Sequence, residues 1–146
     1  MTAYAFSLPV RVYYQDTDAG GVVFHANYLS FLERARTEWL RHLGFDLREM
    51  AERHDVLFIV REANVRYRRP ALLDDLLDVT VKVERLGRAQ FTLGQDVLRS
   101  QEELVCASIN VACVSCGSFK PLRLPQRLYA SLATVLEHED QPKEQV

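Results

Sequence analysis

The stretch that decides the fold reads Tyr13-Tyr14-Gln15-Asp16-Thr17-Asp18-Ala19-Gly20-Gly21-Val22-Val23-Phe24-His25-Ala26-Asn27-Tyr28. It runs from the end of a predicted strand, through a loop with two aspartates and two glycines, into a long amphipathic helix. The start of a helix offers free N–H groups and the positive end of the helix dipole. Asp18 and His25 are therefore expected beside groups that can polarise a carbonyl.

The composition is that of a globular domain with its own core. The chain has 146 residues, of which 48% are hydrophobic and 26% are charged, and this predicts a single domain. A net charge of −2 gives no electrostatic footprint for nucleic acid. No segment approaches the roughly 20 apolar residues of a membrane span, and the N-terminus lacks the basic and apolar regions of a signal peptide. We therefore predict no nucleic-acid binding and no membrane-spanning segment.

The three cysteines are Cys106, Cys113 and Cys116. An odd count without a secretion signal favours a reducing compartment, so we predict a cytoplasmic protein. Cys113 and Cys116 form a C-x-x-C pattern, but zinc would need two further ligands and the four histidines do not cluster. The pattern also ends a strand-like run instead of opening a helix. Cys113 and Cys116 are therefore better interpreted as small residues in a strand than as metal ligands or a redox pair.

The loop over residues 16–27 also partly matches a calcium-binding pattern. Asp16, Asp18 and Gly21 match the first, third and sixth positions of an EF-hand loop. The twelfth position is Asn27 instead of a bidentate glutamate, and no helix precedes the loop. We therefore predict no metal site.

Apolar periodicity predicts one strand and then two helices. Residues 9–15 alternate as a strand. The long helix is expected to start near Asn27, a good N-cap residue, and to end at Gly44, a good C′ residue. A short second helix is predicted over 46–53, with Asp46 as its cap. The long helix carries one apolar stripe at a spacing of three and four, made of Tyr28, Phe31, Leu32, Ala35, Trp39 and Leu43.

Four more strands and a last helix complete the prediction. The strand-like runs are residues 57–68, 77–84, 89–99 and 104–115, and their short connections imply an antiparallel sheet. Pro125 is well placed to open the last helix. A polar tail is predicted over 137–146, so the single domain covers 1–136. The predicted order of one strand, a long helix and then four strands indicates the α+β class.

Three segments resemble the hotdog-fold acyl-CoA thioesterases of the 4-hydroxybenzoyl-CoA thioesterase family. They are the opening motif with its continuation Phe31-Leu32-Glu33-Arg34-Ala35-Arg36-Thr37-Glu38, then Phe58-Ile59-Val60-Arg61, and then Tyr67-Arg68-Arg69-Pro70-Ala71-Leu72-Leu73-Asp74-Asp75. The chain is most similar to the branch associated with the bacterial Tol-Pal system. The resemblance implies a long central helix wrapped by a curved antiparallel five-stranded sheet.

The resemblance also implies roles for individual residues. Asp18 matches the catalytic aspartate, which acts as nucleophile or as general base. His25 matches a histidine implicated in catalysis, and its backbone N–H matches the donor that polarises the carbonyl. Tyr14 matches a tyrosine near the site, and Asp16 is expected to shape the loop. From the residues alone, Asp18 could equally form an Asx-turn, and Tyr14 could pack within the strand.

Substrate-binding residues are expected in two places. Gly20 and Gly21 would let the substrate approach the backbone closely, and Val22, which follows them, is also a predicted substrate-binding residue. Basic residues at predicted strand ends and turns could bind the phosphates of coenzyme A, and among them Arg66 and Arg88 are the predicted substrate-binding residues. The full basic set is Arg66, Arg68, Arg69, Arg85 and Arg88.

The leading functional hypothesis is an acyl-CoA thioesterase that uses no cofactor. One alternative is a hotdog dehydratase acting on hydroxyacyl carrier protein, although such enzymes place the histidine and the acid on separate elements. Another is a hotdog protein that binds acyl carrier protein or lipid-synthesis enzymes. The resemblance implies a homodimer or homotetramer with active sites at the subunit interface.

Overall fold

Alternating apolar residues build an antiparallel sheet of five strands. The computed structural model describes residues 6–140, with side chains for residues 6–137. Along the sheet the strands follow the order β1-β3-β4-β5-β2, and every neighbouring pair is antiparallel. The predicted α+β class and five-stranded sheet are confirmed. The strands are β1 (Phe6–Arg11), β2 (Val56–Tyr67), β3 (Leu76–Leu86), β4 (Gln90–Arg99) and β5 (Glu102–Ser115).

The central strands carry the core. Leu77, Val79 and Val81 of β3 are fully buried, and Val83 is 2% exposed, because side chains two residues apart face the same side of a strand. β1 and β2 form the two edges of the sheet. One end of the sheet contains Leu76 of β3, Arg99 of β4, Glu102 of β5 and Tyr67 of β2. This end is called the Tyr67 end below.

The helix α1 (Asn27–His42) lies against β1, β3 and β4. Its predicted apolar stripe is buried from Tyr28 to Trp39 and half-buried at Leu43. The Trp39 ring meets Phe91 of β4 at 6.3 Å between centroids. Gly44 follows the helix with φ of +99°, a conformation that glycine adopts without the steric cost of a side chain. The predicted end of the long helix is confirmed.

Two further helices complete the layer. In α2 (Leu47–His54), the Asp46 side chain accepts hydrogen bonds from the N–H groups of Arg48 and Glu49, so the predicted N-cap is confirmed. The last helix, α3 (Gln126–Asp140), lies against β3. It continues through Asp140, so residues 137–140 of the predicted tail are helical. The rest of the predicted tail, 141–146, lies outside the described residues, and the division into one domain and a tail stays a prediction.

The first strand differs from its prediction over 9–15. It ends at Arg11, although the alternation continues through buried Val12. The Val12 N–H donates to the carbonyl of Asp75 at 2.9 Å, and the Asp16 side chain accepts from the Tyr13 N–H at 2.8 Å. That side-chain bond turns the backbone into one turn of 3₁₀ helix over Tyr14–Asp16. The polar side chain competes with the sheet ladder for the backbone donors.

Two predictions from the sequence concern location: the absence of a signal peptide and the absence of a membrane-spanning segment. The predicted absence of a signal peptide concerns the N-terminus, where residues 1–5 lie outside the described part of the chain. Within residues 6–140, no helix is both long enough and apolar enough to cross a membrane.

Alkaline pH is expected to destabilise the fold through Cys113. Burial raises the pKa of this thiol from 9.0 to about 11. Below pH 9 the thiol is protonated in both states, so its contribution is fully present. Between about pH 9 and 11 only the unfolded state loses the proton, so the free energy of unfolding falls as pH rises. Chemical denaturation across this range should show a shallower fall for Cys113→Ala, and an equal fall would contradict this assignment.

Candidate active site

The loop that follows β1 is held in place by short backbone bridges. The Asp18 N–H donates to the Val22 carbonyl at 2.9 Å, and the Val23 N–H donates to the Ala71 carbonyl at 2.9 Å. Thr17 pairs with Val23, and Val22 pairs with Leu72. The loop therefore forms a small antiparallel layer with the segment that precedes β3. Val22 is half-buried in this layer.

Asp16 anchors the loop to the start of α1. Its side chain is 4% exposed. One carboxylate oxygen accepts from the Tyr13 N–H, and the other accepts from Asn27 Nδ2, both at 2.8 Å. The N-cap of α1 is Ala26, and no side chain caps it. The prediction of Asn27 as N-cap is therefore wrong, because its amide is used by the buried carboxylate.

Asp18 is exposed and forms the Asx-turn that sequence reasoning left open. Its Oδ1 accepts from the Gly20 N–H at 2.8 Å, and its backbone carbonyl accepts from the Gly21 N–H at 3.1 Å. No other donor within residues 6–140 bonds to this carboxylate, so Oδ2 is open to a ligand. One oxygen orients the side chain while the other stays free. An Asx-turn and a chemical role are therefore compatible.

The two glycines of the loop are required for different reasons: Gly21 for its backbone conformation and Gly20 for the space beside Asp18. Gly21 has φ of +78°, which most other residues adopt only with strain. At Gly20, an added Cβ would lie 3.2 Å from Asp18 Oδ1, so the carboxylate would have to move by a few tenths of an ångström.

Gly20→Ala should therefore slow the reaction without unfolding the protein. Small displacements of a reacting group are costly to a rate, and we expect kcat to fall on the order of 10-fold. Steady-state kinetics together with thermal denaturation would measure both effects. An unchanged kcat would show that the position of the Asp18 carboxylate is not critical.

His25 lies just before α1, and its side chain is exposed. Its ring contacts Phe24 at 4.5 Å between centroids and meets Tyr67 edge-on at 6.5 Å. Its carbonyl accepts from the Tyr67 hydroxyl at 3.0 Å. Within the described chain, neither the His25 N–H nor the Ala26 N–H has an acceptor. Two backbone donors are therefore available at the start of the helix.

A shallow cavity of about 250 Å³ lies beside His25, at the Tyr67 end of the sheet. Behind it, the buried Tyr28 hydroxyl accepts from the Ala71 N–H at 2.9 Å, and burial raises the pKa of Tyr28. This phenol therefore stays protonated and structural at neutral pH. The lining residues are Val23, His25, Tyr28, Tyr67, Arg68, Arg69 and Pro70.

Ion pairs hold the segment between β2 and β3 against the sheet. Arg99 Nη1 lies 2.7 Å from Asp75 Oδ2, and this carboxylate raises the pKa of Arg99. The same Asp75 oxygen accepts from the Leu72 N–H at 2.8 Å. Arg68 and Arg69 pair with Glu103 and Glu102 at 3.3 and 3.0 Å. These last two pairs are substantially exposed, and exposed pairs contribute little, so their arginines are available to an anionic ligand.

Other residues named from the sequence lie elsewhere. Tyr14 is 82% exposed, and within the described chain its hydroxyl forms no hydrogen bond with Asp18 or His25. It is also not packed in a strand, which was the alternative. Arg66 lies near the Tyr67 end but lines a separate, polar groove with Lys82 and Glu84.

Arg88 lies furthest from the loop. It follows β3 at the end opposite Leu76, and a strand of that length spans about 35 Å. Within one chain, Arg88 and Asp18 are therefore not brought together. Sequence reasoning missed Tyr67 as a site residue, although its segment was among those that carry the family resemblance.

One cluster of potential metal ligands occurs in the described chain, away from the loop. Atoms of Asp96, Glu103 and Cys106 lie within 4.8 Å of one another. Burial, followed by the two carboxylates, raises the pKa of Cys106 to about 11. In the metal-free protein the thiol is therefore protonated at neutral pH.

The comparisons with known proteins agree with this fold. A model of the thioesterase superfamily matches residues 20–106. The acyl-CoA thioesterase YbgC of Haemophilus influenzae is 45% identical over 126 residues, covering 86% of this chain and 93% of the relative. The acyl-CoA thioester hydrolase YbgC of Escherichia coli O157:H7 is 43% identical over 132 residues, covering 89% of this chain and 97% of the relative.

Solved structures share the architecture. A crystal structure described as a probable thioesterase from Bartonella henselae superposes with a TM-score of 0.80 at 38% identity, covering 84% of this chain and 100% of that one. A 1,4-dihydroxy-2-naphthoyl-CoA thioesterase from Synechocystis has a TM-score of 0.83 at 23% identity, covering 94% and 98%, and shows the fold alone. The fold is the hotdog fold of thioester hydrolases. This chain belongs to the thioesterase superfamily.

Proposed function

We propose that this protein hydrolyses acyl-CoA thioesters to a carboxylic acid and free coenzyme A, with Asp18 as its catalytic carboxylate. The names of its relatives, at 43% and 45% identity over most of both chains, support the substrate class. The observation that carries the role of Asp18 is its geometry. One carboxylate oxygen is fixed by the Gly20 N–H and the other has no protein donor among the described residues.

Two routes use the free oxygen of Asp18. As a nucleophile, it attacks the thioester carbon, the C–S bond breaks, the thiolate leaves and takes up a proton, and water then hydrolyses the mixed anhydride. As a general base, it takes a proton from water while the water oxygen attacks the same carbon; the C–S bond then breaks, and the thiolate leaves and takes up the proton from Asp18. In both routes the carbonyl oxygen becomes negative. The N–H of His25, at the start of α1, is the proposed donor to that oxygen.

The carrier's phosphates need cations near the entrance. Arg68 and Arg69 line the cavity beside His25, and their partners are exposed carboxylates that a phosphate can replace. They are the better candidates within one chain. Arg66 and Arg88 remain candidates if a second subunit brings them to the site. Acyl carrier protein is proposed as an alternative carrier.

We propose that the working unit is a homodimer or a homotetramer. β2 is an edge strand of twelve residues, and it exposes Ile59 and Val60 to 37% and 49%. A long apolar edge of this kind is normally covered. A second copy pairing along β2 would cover it and would extend the Tyr67 end with residues from the partner.

The proposed activity is tested by free-thiol release from short, long and aromatic acyl-CoAs. We expect turnover well above spontaneous hydrolysis for at least one acyl class, and the ranking identifies the preferred acyl group. Absence of thiol release from every acyl-CoA would refute the proposal. Acyl carrier protein thioesters would then be the substrates to assay.

A further inference from the structure

The Tyr67 hydroxyl is the one side-chain group that bonds the backbone between Phe24 and Asn27 within the described chain. It donates to the His25 carbonyl at 3.0 Å, and the two residues are 42 positions apart. Tyr67 is the last residue of β2. Its ring also contacts the buried Tyr28 at 5.6 Å between centroids. The end of an edge strand therefore holds the first residues of α1.

The hydrogen bond from Tyr67 to the His25 carbonyl also fixes the direction of a backbone donor, the Ala26 N–H. The His25 carbonyl and the Ala26 N–H belong to the same planar trans peptide, in which C=O and N–H point in opposite directions. Fixing the carbonyl toward Tyr67 therefore fixes the Ala26 N–H away from Tyr67. The Ala26 N–H has no acceptor among the described residues. Ala26 has φ of −70° and ψ of −22°, so its N–H lies ahead of the first turn of α1.

We propose that the Ala26 N–H is a second donor to the thioester oxygen and that Tyr67 is the positioning residue that orients it. The inference rests on the proposed hydrolysis and deepens it. The family resemblance implies only the N–H of His25. Two donors aimed at one developing oxyanion stabilise it more than one does, and they act most effectively when they are held in place before the reaction.

The edge contact of His25 and Tyr67 strengthens this arrangement. Their rings meet at 6.5 Å and 89°, and Phe24 also contacts the imidazole at 4.5 Å between centroids. The His25 side chain is thus located by the same tyrosine that fixes its carbonyl. Tyr67 is 47% exposed, so its removal leaves the core intact and tests position instead of folding.

Three variants separate the proposal from a structural role. Tyr67→Phe keeps the ring and removes the hydroxyl, and we expect kcat to fall about 10-fold with little change in KM. Ala26→Pro removes the N–H at a φ that proline adopts, and we expect kcat to fall by about 10²–10³. As the matched control, Tyr129→Phe removes the hydroxyl of another exposed tyrosine, on α3, and should leave kcat unchanged.

A double variant and an ester substitution make the test decisive. If Tyr67 acts through the Ala26 N–H, Tyr67→Phe should add little to the loss already caused by Ala26→Pro. Because proline restricts the preceding residue, semisynthetic replacement of Ala26 by lactic acid, which exchanges only N–H for O, repeats the test without that restriction.

The outcomes distinguish this inference from the proposed function. A parent enzyme that releases thiol while the lactic acid variant and Tyr67→Phe retain full kcat would overturn the role of Ala26 and leave the hydrolase intact. Fully additive losses in the double variant would overturn the link between Tyr67 and Ala26. A parent enzyme without thiol release would refute the proposed function itself.

Discussion

Asp18→Asn is expected to lose most of the hydrolytic activity while keeping the fold. The amide oxygen of asparagine can still accept from the Gly20 N–H, which bonds Asp18 Oδ1 at 2.8 Å in the parent, so the loop geometry should survive. The variant lacks the charged oxygen that attacks the thioester or accepts a proton from water. Loss of a positioned base typically costs about 10²–10⁴-fold in rate, and we expect kcat to fall within that range.

The check on Asp18→Asn needs a measure of folding beside the rate. Thermal denaturation and circular dichroism should match the parent, because the side chain is exposed and keeps its one hydrogen bond. If the variant is fully active, the catalytic carboxylate lies elsewhere. If it is inactive only because it is unfolded, the loop would depend on the charge of Asp18 in a way that the structure does not show.

The second large effect concerns the buried carboxylate that holds the loop. In Asp16→Asn, one of the two oxygens becomes an NH₂ group, which faces either the Tyr13 N–H or the Asn27 amide. A buried donor left without an acceptor costs about 1–3 kcal/mol, so the free energy of unfolding should fall by that amount. Activity should fall as well, because Asp16 fixes the loop that presents Asp18.

The chain offers a matched control for this prediction. In Asp16→Asn combined with Asn27→Asp, the new residue 16 can accept from Tyr13 through its oxygen and donate to residue 27 through its nitrogen. Both hydrogen bonds are restored, the one between residues 16 and 27 with its donor and acceptor exchanged, and the negative charge moves to the first turn of α1, where the helix dipole favours it. Urea denaturation should show most of the lost stability recovered in the double variant. Equal stability of the single and double variants would contradict the pairing of Asp16 with Asn27.

The local features of the fold could be read from the sequence because they depend on near neighbours. The stripe from Tyr28 to Trp39, the cap at Asp46 and the stop at Gly44 follow from helical spacing and backbone preferences. The strand predicted over 77–84 lies within β3, where the alternating residues Leu77, Val79, Val81 and Val83 are buried. The strand before the loop was misjudged because a side chain, Asp16, takes a backbone donor that the sheet would otherwise use.

The site could be predicted only in part, because its contacts join distant segments. Asn27 has the residue type of a cap, and nothing near it in sequence shows that a buried carboxylate eleven residues earlier uses its amide. The bond from Tyr67 to His25 spans 42 residues. Arg88 looked like a phosphate ligand by charge, but strand length places it at the opposite end of β3. Charge and residue type carry no information about such distances.

The most direct test compares kcat/KM for free-thiol release from the preferred acyl-CoA by the parent, Asp18→Asn and Asp74→Asn. Asp74 is an exposed loop carboxylate with φ of +71°, which asparagine also adopts, so the control removes the same charge outside the proposed machinery. We predict a loss of about 10²-fold or more for Asp18→Asn and an unchanged value for Asp74→Asn. Equal activity of all three proteins, or equal losses in both variants, would contradict the assignment of Asp18 as the catalytic carboxylate.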